Sequence, residues 1–373
     1  MNIGIVLYPT FGGSGVVATE LGKALARRGH KVHFITYKQP VKLDRFEPNV
    51  HFHEVRVSDY PLFEYQPYEF VLSSKMVDVA KFESLDLLHV HYAIPHASSA
   101  YMAKQILRSE GIELPVVTTL HGTDITLVGR DSSFEPVITF AINESDAVTA
   151  VSESLKRETY EHFKITKDIE VIPNFICLED YKERDEDLRK QFSKNGEKIL
   201  IHVSNFRKVK RVEDVVKVFS KVKEKVPSIL LLVGDGPERH NIERICREHA
   251  NCDKIHFIGK MKNTESLMAI SDVFLLTSEF ESFGLAALES MANKVPVVST
   301  NKGGIPEVMI DGITGFMCEV GDVEAMAERT LRILKDEELN ARLRKGAYER
   351  ARDFELKRIL PRYLELYNKV SPA

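Results

Sequence analysis

The apolar positions of this chain come in short bursts. Residues 3–8 (IGIVLY) form an unbroken run of strand length, glycines follow at 12–15, and residues 16–28 place Val17, Leu21, Ala24 and Leu25 on one face at helical spacing. Gly29 ends that helix, and 31–36 reads as a second strand. Similar runs recur at 87–91, 116–120 and 147–150, with helical periodicity between them. Strands without polar alternation belong to a sheet covered on both faces, and strands that alternate with helices imply parallel pairing. The pattern restarts after Ile172-Pro173-Asn174-Phe175. Beyond a charged stretch at 179–197, strands are expected at 198–203, 229–234, 254–258, 273–277 and 296–299. A last segment at 356–370, rich in Tyr and Leu, is expected to be a helix packed back on the first half. The fold class is therefore α/β: two doubly wound Rossmann-like domains, 1–173 and 174–355, facing across a cleft, with the terminal helix 356–373 returning to the first. Ligands in such sheets bind beyond the carboxyl ends of the strands, so the chemistry is sought there.

Length agrees with this division, since 373 residues make two or three domains at roughly 150 residues each. Charge narrows the partners: 51 Lys and Arg against 55 Asp and Glu leave a net −4, so a basic surface for nucleic acid is not expected. Four widely spaced cysteines without a CxxC pair point to reduced cytoplasmic thiols, not to a disulfide framework or a zinc site. The first residues lack the basic start of a secretion signal, and no run approaches the roughly 18 apolar residues of a membrane span. A soluble cytoplasmic protein without stable membrane association is expected.

Four clusters carry candidate chemistry. Gly13, Gly15 and Ala18 fit the dinucleotide fingerprint G-x-G-x-x-A between a strand and a helix. That fingerprint also expects a carboxylate at the end of the second strand, where this chain has Thr36, Tyr37 and Lys38, so NAD is disfavoured. What remains is a helix start without side-chain bulk that can approach an anion, which places Gly13 near a nucleotide; a turn requiring φ > 0 would explain the glycines equally well. His121-Gly122-Thr123-Asp124 follows a strand directly, where His121 would point into the ligand crevice, unless His and Asp only cap the next helix. His89 and His91 share one strand face, but no third ligand accompanies them, and a metal is not expected.

The strongest cluster is Glu281-Ser-Phe-Gly-Leu-Ala-Ala-Leu-Glu289. A helix beginning near Phe283 would aim the amides of Phe283, Gly284 and Leu285 at a phosphate or sugar oxygen, flanked by two carboxylates suited to diols. The basic run Arg207-Lys208-Val209-Lys210-Arg211 follows the strand 198–203, where cations would bind a diphosphate and stabilise the charge that grows as it leaves. Gly234-Asp235-Gly236, Gly259 and Gly303-Gly304 end further strands of this half and admit close backbone approach.

At these residues the chain resembles the family 4 retaining glycosyltransferases of the GT-B fold, over nearly its whole length, with ESFGLAALE the most specific motif. The resemblance implies that Glu281 contacts the transferred sugar and that Ser282, Phe283, Gly284 and Leu285 hold sugar and diphosphate. It also implies that Glu289 binds the ribose hydroxyls and that an Arg/Lys pair neutralises the diphosphate. The family's Arg-x4-Lys spacing is not kept: Asn205 stands where Arg is expected before Lys210, so Arg207 and Lys210 become the pair, with Arg211 and Lys208 left open. The segments YPTFGGSGVVATELG, HVHYAIPHA, TTLHGTDIT and HVSNFRKVKRVEDV resemble the branch of that family acting in bacillithiol biosynthesis. This implies transfer of N-acetylglucosamine from UDP-GlcNAc, a co-substrate and not a cofactor, to the hydroxyl of L-malate with retention at the anomeric carbon. Malate would then meet Ser14, Tyr92, Thr119 and Arg130 in the first domain, hydroxyls and a guanidinium suiting a dianion. Arg207, Lys210, Glu281 and His121 become the expected catalytic residues, with Gly234 beside the nucleotide sugar. No cofactor and no metal is expected, and a homo-oligomer stays open. Three other readings compete: a transferase acting on lipid or polymer, a UDP-sugar epimerase, and a non-catalytic nucleotide-sugar binder. The balanced charges of SSKMVDVAKFESL (73–85) speak against a basic, membrane-binding helix.

Overall fold

A computed structural model describes residues 1–10, 12–43, 45–57, 66–127, 131–181, 183–248 and 252–371. The chain divides into two compact units, Met1–Asn174 with Leu356–Ala373, and Phe175–Glu355.

In the first unit β1 (Asn2–Val6), α1 (Gly13–Arg27), β2 (Lys31–Thr36), β3 (Val50–Glu54), α2 (Tyr68–Glu83) and β4 (Leu87–His91) follow one another. Then come α3 (Ser98–Ser109), β5 (Val116–Leu120), α4 (Glu135–Asn143), β6 (Ala147–Ala150), α5 (Glu153–His162) and β7 (Ile169–Val171). Among the described residues the strands form one sheet in the order β3-β2-β1-β4-β5-β6-β7, every pair parallel. Ile3, Ile5, Val6, Leu88, Val90, Val116 and Val117 are buried in it, as their unbroken apolar runs require. The chain grows outward from β1 to β3 and then crosses back to β4. Between β1 and β4 the sheet therefore has a switch point, where the loops beyond the strands part and leave a crevice.

The second unit runs α6 (Glu186–Phe192), β8 (Lys198–Val203), α7 (Val212–Lys223), β9 (Ser228–Val233), α8 (Arg239–Glu248), β10 (Ile255–Gly259), α9 (Glu265–Ala269) and β11 (Val273–Leu276). It continues with α10 (Leu285–Ala292), β12 (Val297–Thr300), α11 (Ile305–Val308), β13 (Gly315–Cys318), α12 (Val323–Lys335) and α13 (Glu337–Ala351). Its parallel sheet, β10-β9-β8-β11-β12-β13, has its switch point between β8 and β11. Leu200, Leu230, Leu232 and Leu275 pack there against Val215, Val216 and Phe219 of α7. The last helix, α14 (Leu356–Val370), belongs to the first unit, where Tyr363 and Tyr367 are fully buried and the Tyr367 hydroxyl lies 2.7 Å from His89 Nδ1.

Two boundaries differ from expectation. β1 stops at Val6 and α1 begins at Gly13, so Gly13, Ser14 and Gly15 are the helix's first turn and not a loop before it. None of the three needs φ > 0; Gly15 is required because a Cβ there would stand 2.6 Å from the Tyr8 carbonyl oxygen. Among the described residues no helix is long and apolar enough to cross a membrane.

Candidate active site

In the second unit the loops on either side of the switch point meet through an ion pair. Lys210, at the end of a short 3₁₀ turn after β8, donates from Nζ to Glu281 Oε1 at 2.7 Å, and the Ser278 hydroxyl donates to the same oxygen at 2.7 Å. Both charged side chains are at most one-fifth exposed (20% and 14%), so partial removal from water strengthens their attraction beyond that of a surface pair. The backbone of the Glu281 loop is held from behind. Gly304 donates its N–H to the Glu281 carbonyl at 2.7 Å, and Gly303 has φ +67° with the same oxygen only 2.1 Å from where a Cβ would lie. The β8 loop is set in a similar way. His202 Nδ1 lies 2.8 Å from the Leu275 carbonyl, to which it must donate, leaving Nε2 to accept from Ser204 Oγ at 2.7 Å. Burial pushes the His202 pKa down to about 4, so the ring stays neutral and its tautomer follows from these partners. Gly234 approaches from β9 with φ +125°, and a Cβ there would stand 1.8 Å from the Ser204 carbonyl oxygen.

The basic run separates by task. Arg207 is exposed at the start of the turn and makes no ion pair among the described residues, whereas Lys208 is exposed on the turn itself. Arg211, in the left-handed region at φ +46°, is bound to Asp214 at 2.6 Å and to Glu279 at 3.3 Å, so its charge is engaged in holding the start of α7. The expected helix start is corrected. α10 begins at Leu285 with Gly284 as its N-cap at φ +93°, so the outward amides are those of Leu285 and its successors. Phe283 is buried, its ring 5.6 Å from that of Phe354, and anchors the loop by packing. Ser282 and Glu289 are half-buried, and Glu289 lies close enough to Tyr181 to help raise that phenol's pKa, after burial itself.

In the first unit the equivalent switch point is also bridged. Ser14 Oγ on α1 and the Tyr92 hydroxyl after β4 are 2.6 Å apart. Tyr92 holds φ +88°, a strained value for a bulky residue, with its N–H donated to the Thr119 carbonyl at 2.9 Å. Thr119 itself is placed differently from expectation. It is fully buried within β5, and its hydroxyl is taken up by His89 Nε2 and Thr149 Oγ1, each at 2.7 Å. Arg130 lies outside the described residues. His121 stacks on His91, with Nε2 2.8 Å from His91 Nδ1; burial and then the neighbouring His96 bring its pKa to about 3, which keeps it uncharged. Asp124 faces inward, accepting from the N–H groups of Ala93 at 2.8 Å and Gly122 at 3.0 Å, and so ties the loop after β5 to the loop after β4.

Comparison with known proteins places this geometry. The family described as "Glycosyltransferase Family 4" matches residues 11–180, and "Glycosyl transferases group 1" matches residues 183–350. N-acetyl-alpha-D-glucosaminyl L-malate synthase of Bacillus anthracis is 50% identical over 99% of this chain and 97% of its own length. The chain belongs to the family 4 glycosyltransferases. Solved structures agree on the fold of this glycosyltransferase. Anabaena Alr3699/HepE in complex with UDP and glucose superposes with a TM-score of 0.83 at 21% identity, covering 98% of this chain and 99% of the other. Sucrose-phosphate synthase from Thermosynechococcus elongatus gives 0.81 at 23% identity, covering 99% and 98%. The two parallel-sheet, Rossmann-like units are those of the GT-B glycosyltransferases.

Several residues that shape this glycosyltransferase's site carry little signal in the sequence. Ser278, His202, Ser204 and Thr277, whose hydroxyl donates to the carbonyls of Lys210 and Arg211 at 3.0 and 2.9 Å, are ordinary strand-end residues until the sheet sets β8 beside β11. Position at the carboxyl ends of those two strands is the one clue the sequence holds.

Proposed function

We propose that this glycosyltransferase moves N-acetylglucosamine from UDP-GlcNAc to the hydroxyl of L-malate, with retention, as the first step of bacillithiol biosynthesis. The observation that carries the proposal is the 50% identity, over 99% of the chain, to the Bacillus anthracis protein named for that product. The site chemistry fits. The bond between the anomeric carbon and the β-phosphate oxygen breaks with its electron pair leaving on UDP. Arg207, Lys210 and the amides at the start of α10 neutralise that growing charge. Glu281 fixes the Lys210 ammonium at 2.7 Å until the diphosphate arrives and then faces the sugar, while Glu289 accepts from the ribose diol. Gly234 and Gly13 contribute close backbone approach. The malate hydroxyl attacks from the face that UDP leaves, and the departing phosphate oxygen takes its proton. In the first unit Ser14 and Tyr92 bind malate, with Arg130 as counter-charge to its carboxylates. Thr119 serves through its carbonyl, which orients Tyr92. Neutral His121 offers a hydrogen bond to a sugar hydroxyl. No cofactor and no catalytic metal takes part, and the reaction runs in the cytoplasm.

The test is mass spectrometry of the purified protein with UDP-GlcNAc, with and without L-malate and with EDTA present. UDP and N-acetylglucosaminyl malate should appear together, at undiminished rate under chelation, and only when malate is supplied. A product with malate absent, or none with malate present, overturns the acceptor assignment; loss of most turnover in EDTA overturns the metal-free mechanism.

A further inference from the structure

At the far edge of the first sheet three ligating side chains converge that the transfer reaction does not use. His33 on β2 and His53 on the edge strand β3 lie with Nδ1 and Nε2 3.0 Å apart, and the carboxylate of Glu83, the last residue of α2, completes a group whose ligating atoms all lie within 4.8 Å of one another. They come from three separate elements, so their convergence is a product of the fold and not of sequence spacing. The frame is firm: β2 and β3 pair in register, and the Glu83 carbonyl accepts from Asn2 Nδ2 at 2.9 Å, which ties the end of α2 to the start of β1. His33 is fully buried, and its Nδ1 is the nitrogen turned toward His53. His53 and Glu83 are half-exposed, so the group opens to solvent. Glu83 precedes β4 by a short turn, whereas Tyr92 follows the carboxyl end of the same strand.

We propose that His33, His53 and Glu83 bind one divalent transition-metal ion of the Zn²⁺ class, which clasps edge strand β3 and the end of α2 to the sheet without entering the transfer reaction. Two imidazoles and one carboxylate are a known zinc donor set, with metal–ligand distances of about 2.0–2.2 Å and the fourth position left to water. Ligands at those distances stand roughly 3.3–3.6 Å apart in a tetrahedron, so the two nitrogens, 3.0 Å apart, are already near their place, and a Glu83 carboxylate oxygen lies within 4.8 Å of both. One carboxylate and two neutral rings favour Zn²⁺, Ni²⁺ or Co²⁺ over Mg²⁺ or Ca²⁺.

The experiment uses the full-length protein without an affinity tag, freed of metal by chelation and titrated with Zn²⁺, and with Co²⁺ as the spectroscopic probe. Expected are one Zn²⁺ per chain, a visible Co²⁺ d–d band and a rise in melting temperature, with GlcNAc transfer unchanged. His53→Gln and Glu83→Gln, both at half-exposed positions, should each weaken binding by more than the roughly 10–100-fold that losing a mere supporting partner costs. His51→Gln should retain it, because His51 stacks flat on His33 at 4.9 Å between centroids. Wild-type protein that takes up no metal at micromolar Zn²⁺, or variants that bind as tightly as wild type, overturn the proposal.

Discussion

At the scale of single residues, the cations that follow β8 differ in what surrounds them. Arg207 and Lys210 were singled out as a pair, yet the structure gives them different surroundings: Arg207 exposed and without an ion pair among the described residues, Lys210 already joined to Glu281 at 2.7 Å. Arg207 is therefore the cation more open to an incoming diphosphate. Replacing it with Ala should lower kcat by about 10²-fold or more, the usual effect of removing one group that stabilises developing charge; steady-state kinetics showing near-normal turnover would rule that role out. Ser14→Ala should act on the acceptor instead, raising the KM for malate roughly tenfold with little change in the KM for UDP-GlcNAc, as befits one hydrogen bond. Equal weakening of both substrates would place Ser14 outside the acceptor site. Thr119 shows the limit of residue-level reasoning. A hydroxyl at a strand's end looks available in sequence, but a strand interior turns alternate side chains into the sheet's packing, where His89 and Thr149 claim it.

At the scale of elements, apolar runs marked the central strands closely, with 31–36, 87–91, 116–120, 147–150 and 198–203 found as read. What they missed were β3, β7 and β13. β3 (VHFHE) lies at the edge, is largely exposed and carries histidines in place of an apolar run, so the signal of a doubly covered strand is absent. The strand-end glycines were expected to admit close backbone approach, but the structure gives them different reasons. Gly234 combines φ +125° with a carbonyl oxygen 1.8 Å from its would-be Cβ, while Gly259 has φ +82° and open space within 4 Å. Gly259→Ala should thus cost only the left-handed backbone penalty, about 1–2 kcal/mol, and Gly234→Ala more than about 3 kcal/mol, because the Ser204 loop must also move. Equal costs in denaturant melts would mean that the clash is relieved without disturbing the loop.

At the scale of the whole molecule, buried histidines couple stability to pH. His89, His96 and His202 are fully buried, and burial lowers their pKa values from the ordinary 6.5 to about 3, 4 and 4. The unfolded chain binds more protons than the folded one below pH 6.5, so this contribution is intact above that value. It is lost as pH falls toward 4, by about 1.4 kcal/mol per pH unit for each ring. Asp124 opposes it, since its pKa is raised by burial to about 6 and favours the folded state at low pH, but it is one group against three. The melting temperature should fall steeply between pH 6.5 and 4, and His202→Asn should flatten that slope; a slope unchanged in the variant would exclude His202 as a source. The sequence by itself determined the α/β class, the two repeating halves and the motifs at the strand ends, because apolar periodicity, glycine and charge are local properties that a chain cannot hide. Only the tertiary structure decided which loops meet. Lys210 with Glu281, Ser14 with Tyr92, and His33 with His53 are each brought together by strand order, and strand order follows from how whole helices and strands pack, which no short stretch of sequence contains.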